Sequence, residues 1–454
     1  MMMSMIMLIL SIYFMIIFMT NIWKMFILIL NLFMMMFLMF KYNIYFNYYW
    51  NKIFYNLGMD KISFSLSLLT IWIMILSIMT MTLKTKNKKI FMNLMLFMTL
   101  TLLLSFLSMN MMTFYIYFET SLIPIILIIM GWGYQIDRIQ ASMYMLFYTL
   151  VGSLPLLIMI MLIQQNNNTS MMNILWMKNI YNMNNLYLFL IMNMAFFIKM
   201  PMYMLHLWLP KAHTEAPISG SMVLAGIMLK LGSYGLYRSM MIFPNMMTSM
   251  NIYMIIISLI GSLISSLICM NQNDLKVIVA YSSIVHMSML LSSMFTLYKM
   301  SFKGSLLMMI AHGLCSSGMF FLVNLNYERI QSRSMFMNKN LINILPSLTL
   351  WWFLLSIANF SAPPSMNLFS EMLMLNSLIQ WNSLLIFIII FISFFSTCYS
   401  IFIYSFSQYG KINIYFNFKS INCKEYLIII MHWLPLNLLF LNLNLFIYLI
   451  KIYL

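Results

Sequence analysis

Charge is what this sequence has least of. Only 7% of its 454 residues are charged, 8 of them acidic against 24 Lys and Arg, while 63% are hydrophobic and the mean hydropathy is +0.93. A water-soluble domain needs polar cover, typically about a quarter charged residues, so a soluble fold is excluded. So much apolar content also excludes disorder. Alternation of polar and apolar residues is missing from runs such as LYLFLIMNMAFFI (186–198), which excludes a closed β-barrel and leaves helices as the spanning element. The four cysteines, Cys269, Cys315, Cys398 and Cys423, form no CxxC pair or His/Cys cluster. A disulfide framework or metal site is therefore not expected, and the thiols read as small packing residues. No Walker-A loop, GxGxxG, HExxH or GxSxG occurs, so nucleotide or cofactor binding by this chain has no support. A basic stretch and a small-residue cleavage site are lacking at the N-terminus, which reads as a first span rather than a cleavable signal.

What is abundant is methionine. The chain has 58 Met, 37 Phe and 27 Tyr against 13 Gly and 10 Pro. Met, Ile, Phe, Tyr, Asn and Lys have A+T-rich codons, and this much Met points to a compact genome reading ATA as Met, as in mitochondria. Physically, Met stands where Leu would do. Its stripes read as packing or lipid-facing surface rather than copper ligands, which would have to cluster.

A bilayer core about 30 Å thick requires about 20 apolar residues per helix. Such runs occur near 4–20, 25–40, 63–83, 90–108, 111–130, 143–163, 186–207, 218–237, 252–270, 276–296, 304–325, 347–379, 383–406 and 426–449. The expected fold is an all-α polytopic membrane protein of about fourteen transmembrane helices, a single membrane domain over 1–454. The net charge of +16 does not imply nucleic acid, because the Lys and Arg residues lie singly in loops with no aromatic-interleaved basic surface. Loops after odd-numbered spans hold more of them, among them Lys276 and Arg333. Arg238 counts with the other side. The bias places the odd loops inside and both termini outside.

Burying an unpaired charge in a bilayer costs about 2.5–3.5 kcal/mol even on insertion scales, so intramembrane ionisable residues are functional candidates. Glu119 lies in FYIYFETSLIPIILIIM, apolar on both sides. It is a proton carrier or lysine partner, or else a carboxylate paired for packing. Lys199, in NMAFFIKMPMYMLHLWLP, is followed by Pro201. Proline opens a helix, and broken helices at membrane depth mark binding sites in transporters. Lys230 is mid-span among Ser, Gly and Ala, which let helices approach closely. His312 lies in MMIAHGLCSSGMFFLVN. His286, in KVIVAYSSIVHMS, sits near Tyr281, Ser282 and Ser283. Either is a satisfied core imidazole or a titrating group in a hydroxyl-lined polar file. Glu371 lies in an overlong span with Pro363 and Pro364, read as two half-helices around a break. His206, Lys211, His213 and Glu215 fall at or past the inner surface, as a proton feed or a solvated loop. Two broken helices five spans apart suggest inverted repeats over 90–237 and 252–406, with 407–454 a C-terminal loop and last helix.

The stretch KMPMYMLHLWLPKAHTEAPISGSMVLAGIMLKLGSYGLYR (199–238) carries a resemblance. It resembles the chain 4 family of mitochondrial NADH:ubiquinone oxidoreductase (respiratory complex I), one of the antiporter-like membrane chains. FYIYFETSLIPIILIIMGWG, KVIVAYSSIVHMS, MMIAHGLCSSGMFFLVN and ANFSAPPSMNLFSEM are similar to that family's other motifs, in order, over roughly 60–410. The resemblance implies two inverted five-helix repeats, each with one discontinuous helix, and proton pumping across the mitochondrial inner membrane coupled to electron transfer in other subunits. It implies that Glu119 modulates Lys199, that Lys230 is the connecting lysine and that His312 bridges towards Glu371; His286, from its place in the polar file, is a further relay candidate. It also implies no cofactor on this chain, with NAD, FMN, iron–sulfur clusters and ubiquinone in partner subunits. The implied partners are the sibling antiporter-like chains 2 and 5, and lipids. The departure is in the second half, where Asn and Ser outnumber ionisable groups. A stand-alone cation/proton antiporter and a purely structural membrane scaffold are the alternatives.

Overall fold

The computed structural model describes residues 21–41, 50–81, 87–177, 186–411, 419–441 and 443. The first predicted span, 4–20, and the end of the last lie outside the described residues. What is described is helical almost throughout. Nine of its helices are long and apolar enough to cross a membrane, and two shorter apolar ones cover Met25–Phe40 and Tyr187–Lys199.

The first unit comprises residues 1–199 and 215–250. Helix α1 (Asn21–Lys41) is followed by a small antiparallel hairpin, β1 (Asn51–Phe54) and β2 (Leu57–Met59), which the all-helical reading had not anticipated. The hairpin leads into α2 (Lys61–Met79), started by a capping box. Asp60 Oδ1 accepts from the Ser63 amide at 2.8 Å, and Ser63 Oγ accepts from the Asp60 amide at 2.8 Å, satisfying two end groups that a helix cannot satisfy itself. Helix α3 (Lys88–Leu107) follows. The next span, Met111–Trp132, loses its regular bonding at one point: α4 (Met111–Thr120) passes through Ser121, which keeps right-handed helical geometry, into α5 (Leu122–Trp132). Pro124 lacks the amide that would bond the Thr120 carbonyl, which interrupts the ladder there. Then come α6 (Arg138–Asn167), α7 (Met172–Met177) and α8 (Leu186–Lys199). After residue 215 the unit resumes with α10 (Ile218–Val223), a π turn (Leu224–Met228) and α11 (Leu229–Ile242). Helix α12 (Pro244–Met270) begins at the edge of this unit and continues into the second.

The second unit comprises residues 200–214 and 251–454. It holds α9 (Trp208–Glu215) up to Thr214, most of α12, α13 (Leu275–Phe295), α14 (Lys299–Ile330), α15 (Leu341–Ile344), α16 (Pro346–Asn359), α17 (Met366–Trp381), α18 (Ile386–Gln408) and α19 (Cys423–Leu441). The two predicted breaks are present. Helix α8 ends at Lys199, where Pro201 bars the residue before it from helical geometry, and the chain turns until Trp208. Pro210 sits in the first turn of α9, where its missing amide costs nothing. The second break runs from Phe360 to Ser365, around Pro363 and Pro364, between α16 and α17.

Many serine and threonine hydroxyls within the helices bond locally. Ser67 donates to Phe64 O, Ser77 to Met74 O and Ser293 to Leu290 O. Hydrocarbon offers no water, so a Ser or Thr takes the carbonyl three or four residues back.

Candidate functional site

In the first unit the chain places Glu119 and Lys199 at two helix interruptions. Glu119 is the penultimate residue of α4, just before the irregularity at Ser121. Lys199 is the last residue of α8 and is 2% exposed. Its ammonium donates to the Phe118 carbonyl at 2.9 Å and lies over the Phe118 ring, 3.2 Å from the centroid. The same carbonyl accepts from Ser121 Oγ at 2.8 Å. Lys199 therefore contacts the neighbour of Glu119 rather than its carboxylate. The two charges act on one another through space, with Ser153 also facing the carboxylate. Glu119 Oε1 is buried without a hydrogen-bond partner among the described residues. The carboxylate is thus near the ammonium without a direct contact to it.

Lys230 is 0% exposed, one residue into α11 after the π turn. Its ammonium donates to the Ala225 carbonyl at 2.7 Å, five residues back. A π turn shifts backbone bonding to the i→i+5 pattern, and such turns recur at functional sites. Here it brings a backbone oxygen within reach of a fully buried cation. The glycine- and alanine-rich sequence hinted at close packing but gave no sign of the π turn.

In the second unit, His286 on α13 lies with Nδ1 3.4 Å from Glu371 Oε1, the carboxylate's side chain being 23% exposed. The second oxygen accepts from the Ser361 hydroxyl, at the break between α16 and α17. His312 on α14 has its ring centroid 5.8 Å from that of His286, and Ser316 Oγ donates to the His312 carbonyl at 2.6 Å. His286 Nε2 is buried without a partner among the described residues. His286, held only as a further relay candidate from sequence, is thus the imidazole in contact with Glu371. Imidazole, carboxylate and hydroxyl in one chain can pass a proton.

Other placements differ from the sequence reading. Of His206, Lys211, His213 and Glu215, only Lys211 is exposed. His206 stacks on Tyr203 with centroids 5.0 Å apart, and His213 lies flat on Phe320 at 4.4 Å. Arg238, Lys276 and Arg333, read as loop charges, are buried, at 6%, 0% and 8% exposure. Arg238 pairs with Asp60 at 2.6 Å, and Arg333 lies 5.4 Å from the Tyr327 ring. Charges held inside protein report nothing about loop sidedness. Among the described residues no group of three His, Cys, Asp or Glu could hold a metal ion, and Cys269 and Cys315 are buried and belong to no disulfide.

Comparisons with known proteins bear on this arrangement. Residues 108–397 match the family described as NADH:quinone oxidoreductase/Mrp antiporter, TM, and residues 1–110 match NADH-ubiquinone oxidoreductase chain 4, amino terminus. The chain is 50% identical over 340 residues to NADH-ubiquinone oxidoreductase chain 4 of Ceratitis capitata, covering 74% of this chain and 75% of the relative. To the same chain of Aedes aegypti it is 51% identical over 332 residues, 73% of this chain and 74% of that one. Its fold is similar to a chain of respiratory complex I from Thermus thermophilus with bound NADH, with a TM-score of 0.87 at 20% identity over 97% of this chain and 96% of that one. A chain of the Mrp complex from Dietzia sp. is similar at a TM-score of 0.75 and 19% identity, over 84% of this chain and 43% of that one. The chain belongs to the NADH-ubiquinone oxidoreductase chain 4 family, within the wider NADH:quinone oxidoreductase/Mrp antiporter membrane family.

Proposed function

We propose that this chain is a proton-translocating, antiporter-like subunit of respiratory complex I, a multi-pass protein of the mitochondrial inner membrane. It works within a multisubunit membrane assembly, beside the sibling antiporter-like chains 2 and 5. Electrons pass from NADH to ubiquinone in other subunits, and the NAD, FMN and iron–sulfur chemistry belongs to those partners. Both termini face the intermembrane space. Residues 90–237 and 252–406 act as inverted repeats. A broken helix in each, Leu186–Glu215 and Pro346–Trp381, supports that division.

The observation that carries this reading is Lys199. A 2% exposed lysine at a proline-broken helix, with a carboxylate nearby that does not clasp it, is a poor structural element and a good proton-loading site. When Glu119 approaches, its charge holds a proton on Lys199. Two unit charges 4 Å apart interact by about 4 kcal/mol at an effective dielectric of about 20. That is enough to change proton occupancy by about a thousandfold. When the carboxylate withdraws, the proton is released to Lys230. In the second unit, His312, His286 and Glu371 form the later stages, with Ser361 holding the carboxylate.

The test is Lys199→Ala in the assembled complex, reading protons translocated per electron. A fall with assembly intact supports the reading, and an unchanged ratio overturns it. Blue-native electrophoresis tests the setting. The chain is expected in one large assembly with its siblings, and migration alone with its own exchange activity would overturn that part.

A further inference from the structure

One buried charge pair has no part in the proposed relay. Asp60 and Arg238 meet at 2.6 Å with side chains each 7% exposed. The guanidinium lies over both the Trp50 and Tyr234 rings, 4.6 and 4.7 Å from their centroids. A buried ion pair is weak evidence for stability, since well-packed apolar residues of similar volume often do as well or better. Its best-attested use is to fix register.

The geometry states which register. Arg238 stands on α11 eight residues after Lys230, about two turns or 12 Å along the axis. Tyr234 stands between them, at the i+4 position from Lys230, and donates its hydroxyl to the Phe106 carbonyl of α3 at 2.9 Å. The opposite end of Lys230's helix is the π turn, Leu224–Met228, and α geometry there would change the rotation of α11. Helix α2 packs against α10 and the π turn, and the residue capping its start is Asp60. A single helix, α2, therefore touches the chain before Lys230 by packing and after Lys230 by an ion pair.

We propose that the Asp60–Arg238 pair, buttressed by Trp50 and Tyr234, is a positioning lock. It pins the rotation and axial height of α11 against α2, so that the adjoining π turn cannot relax and turn Lys230 away from its path. Arg238 is a positioning residue here, acting through Lys230, and the proposal rests on the relay reading of Lys230.

The experiment uses the assembled complex and three variants of the lock: Asp60→Asn, Arg238→Lys and the double Asp60→Asn with Arg238→Gln. Lys230→Met is the reference. Asparagine keeps the helix cap while removing the charge, and the neutral double leaves no unpaired buried ion. Proton translocation per electron is read alongside electron-transfer rate and the amount of assembled complex. The double variant is expected to assemble and to lose at least half of what Lys230→Met loses in protons per electron. Arg238→Lys, which keeps a cation opposite Asp60, is expected to retain most of the normal ratio. A double variant that assembles with a normal ratio overturns the lock, and so does one that fails to assemble at all, which would make the pair structural. If Lys230→Met itself leaves the ratio unchanged, the relay reading fails and the lock falls with it.

Discussion

At the residue scale, a buried cation retained for function differs from one retained for packing in what its removal does. Lys199 hangs on one carbonyl and one aromatic face. Lys199→Met replaces a desolvated ammonium by an apolar chain of similar length, and no carboxylate in direct contact is left orphaned, the case in which removing a buried charge is strongly destabilising. The expected outcome is resistance to thermal denaturation in detergent within about 1 kcal/mol of the parent, with proton translocation strongly reduced. A large loss of stability would show that the lysine holds the fold. Glu371 allows a similar separation. Glu371→Gln keeps an acceptor for Ser361 but removes the charge that faces His286. Assembly is expected to persist, and protons per electron to fall, in membrane vesicles carrying a pH-sensitive dye. These candidates were legible in the sequence because an ionisable residue in an apolar run is conspicuous. Asp60 and Arg238 were not legible as a pair, because each lies near the end of a span, where sequence reads a charge as solvated.

At the scale of elements, proline and glycine positions govern. Both proline breaks could be read from the chain, since a missing amide acts locally. The interruption after Glu119 followed from Pro124 by the same logic, but it hid inside a run that looked like one span. Close helix approach is a different matter. A Cβ at Gly152 of α6 would fall 3.0 Å from Ala195 Cα and 3.2 Å from its amide on α8, backbone that cannot yield. One at Gly131 of α5 would meet nothing within 4 Å. Gly152→Ala is therefore expected to destabilise by about 1–3 kcal/mol and to displace the helix that carries Lys199, whereas Gly131→Ala is silent. Thermal unfolding of the purified complex compares the two. Asp60→Ala removes both a cap and a counter-ion. It is expected to lower the yield of assembled chain more than Asp60→Asn does, because both leave Arg238 without its counter-ion, at about 3–5 kcal/mol, while alanine also loses the cap, about 1 kcal/mol.

At the scale of the whole molecule, burial sorts the thiols. Cys269 and Cys315 are buried and Cys423 is exposed. A maleimide is expected to modify Cys423 in the native complex and to reach Cys269 and Cys315 only after denaturation. The proposed topology puts the loop before α19 on the inner face. A membrane-impermeant reagent should therefore label Cys423 in inverted vesicles and not in intact ones, and the opposite pattern would reverse the orientation.

Composition by itself determined that this chain spans a membrane as helices, because apolar surface and backbone hydrogen bonding leave no other arrangement in hydrocarbon. Local chemistry determined where two helices break, and the cost of burying charge singled out Glu119, Lys199, Lys230, His286, His312 and Glu371. Only the tertiary structure decided who faces whom: the Phe118 carbonyl as the partner of Lys199, Ala225 across a π turn for Lys230, His286 rather than a distant group at Glu371, and Asp60 for Arg238. Helix faces meet according to side-chain shape summed over many residues, so the partners of a polar atom are set by packing far along the chain, which no local pattern encodes.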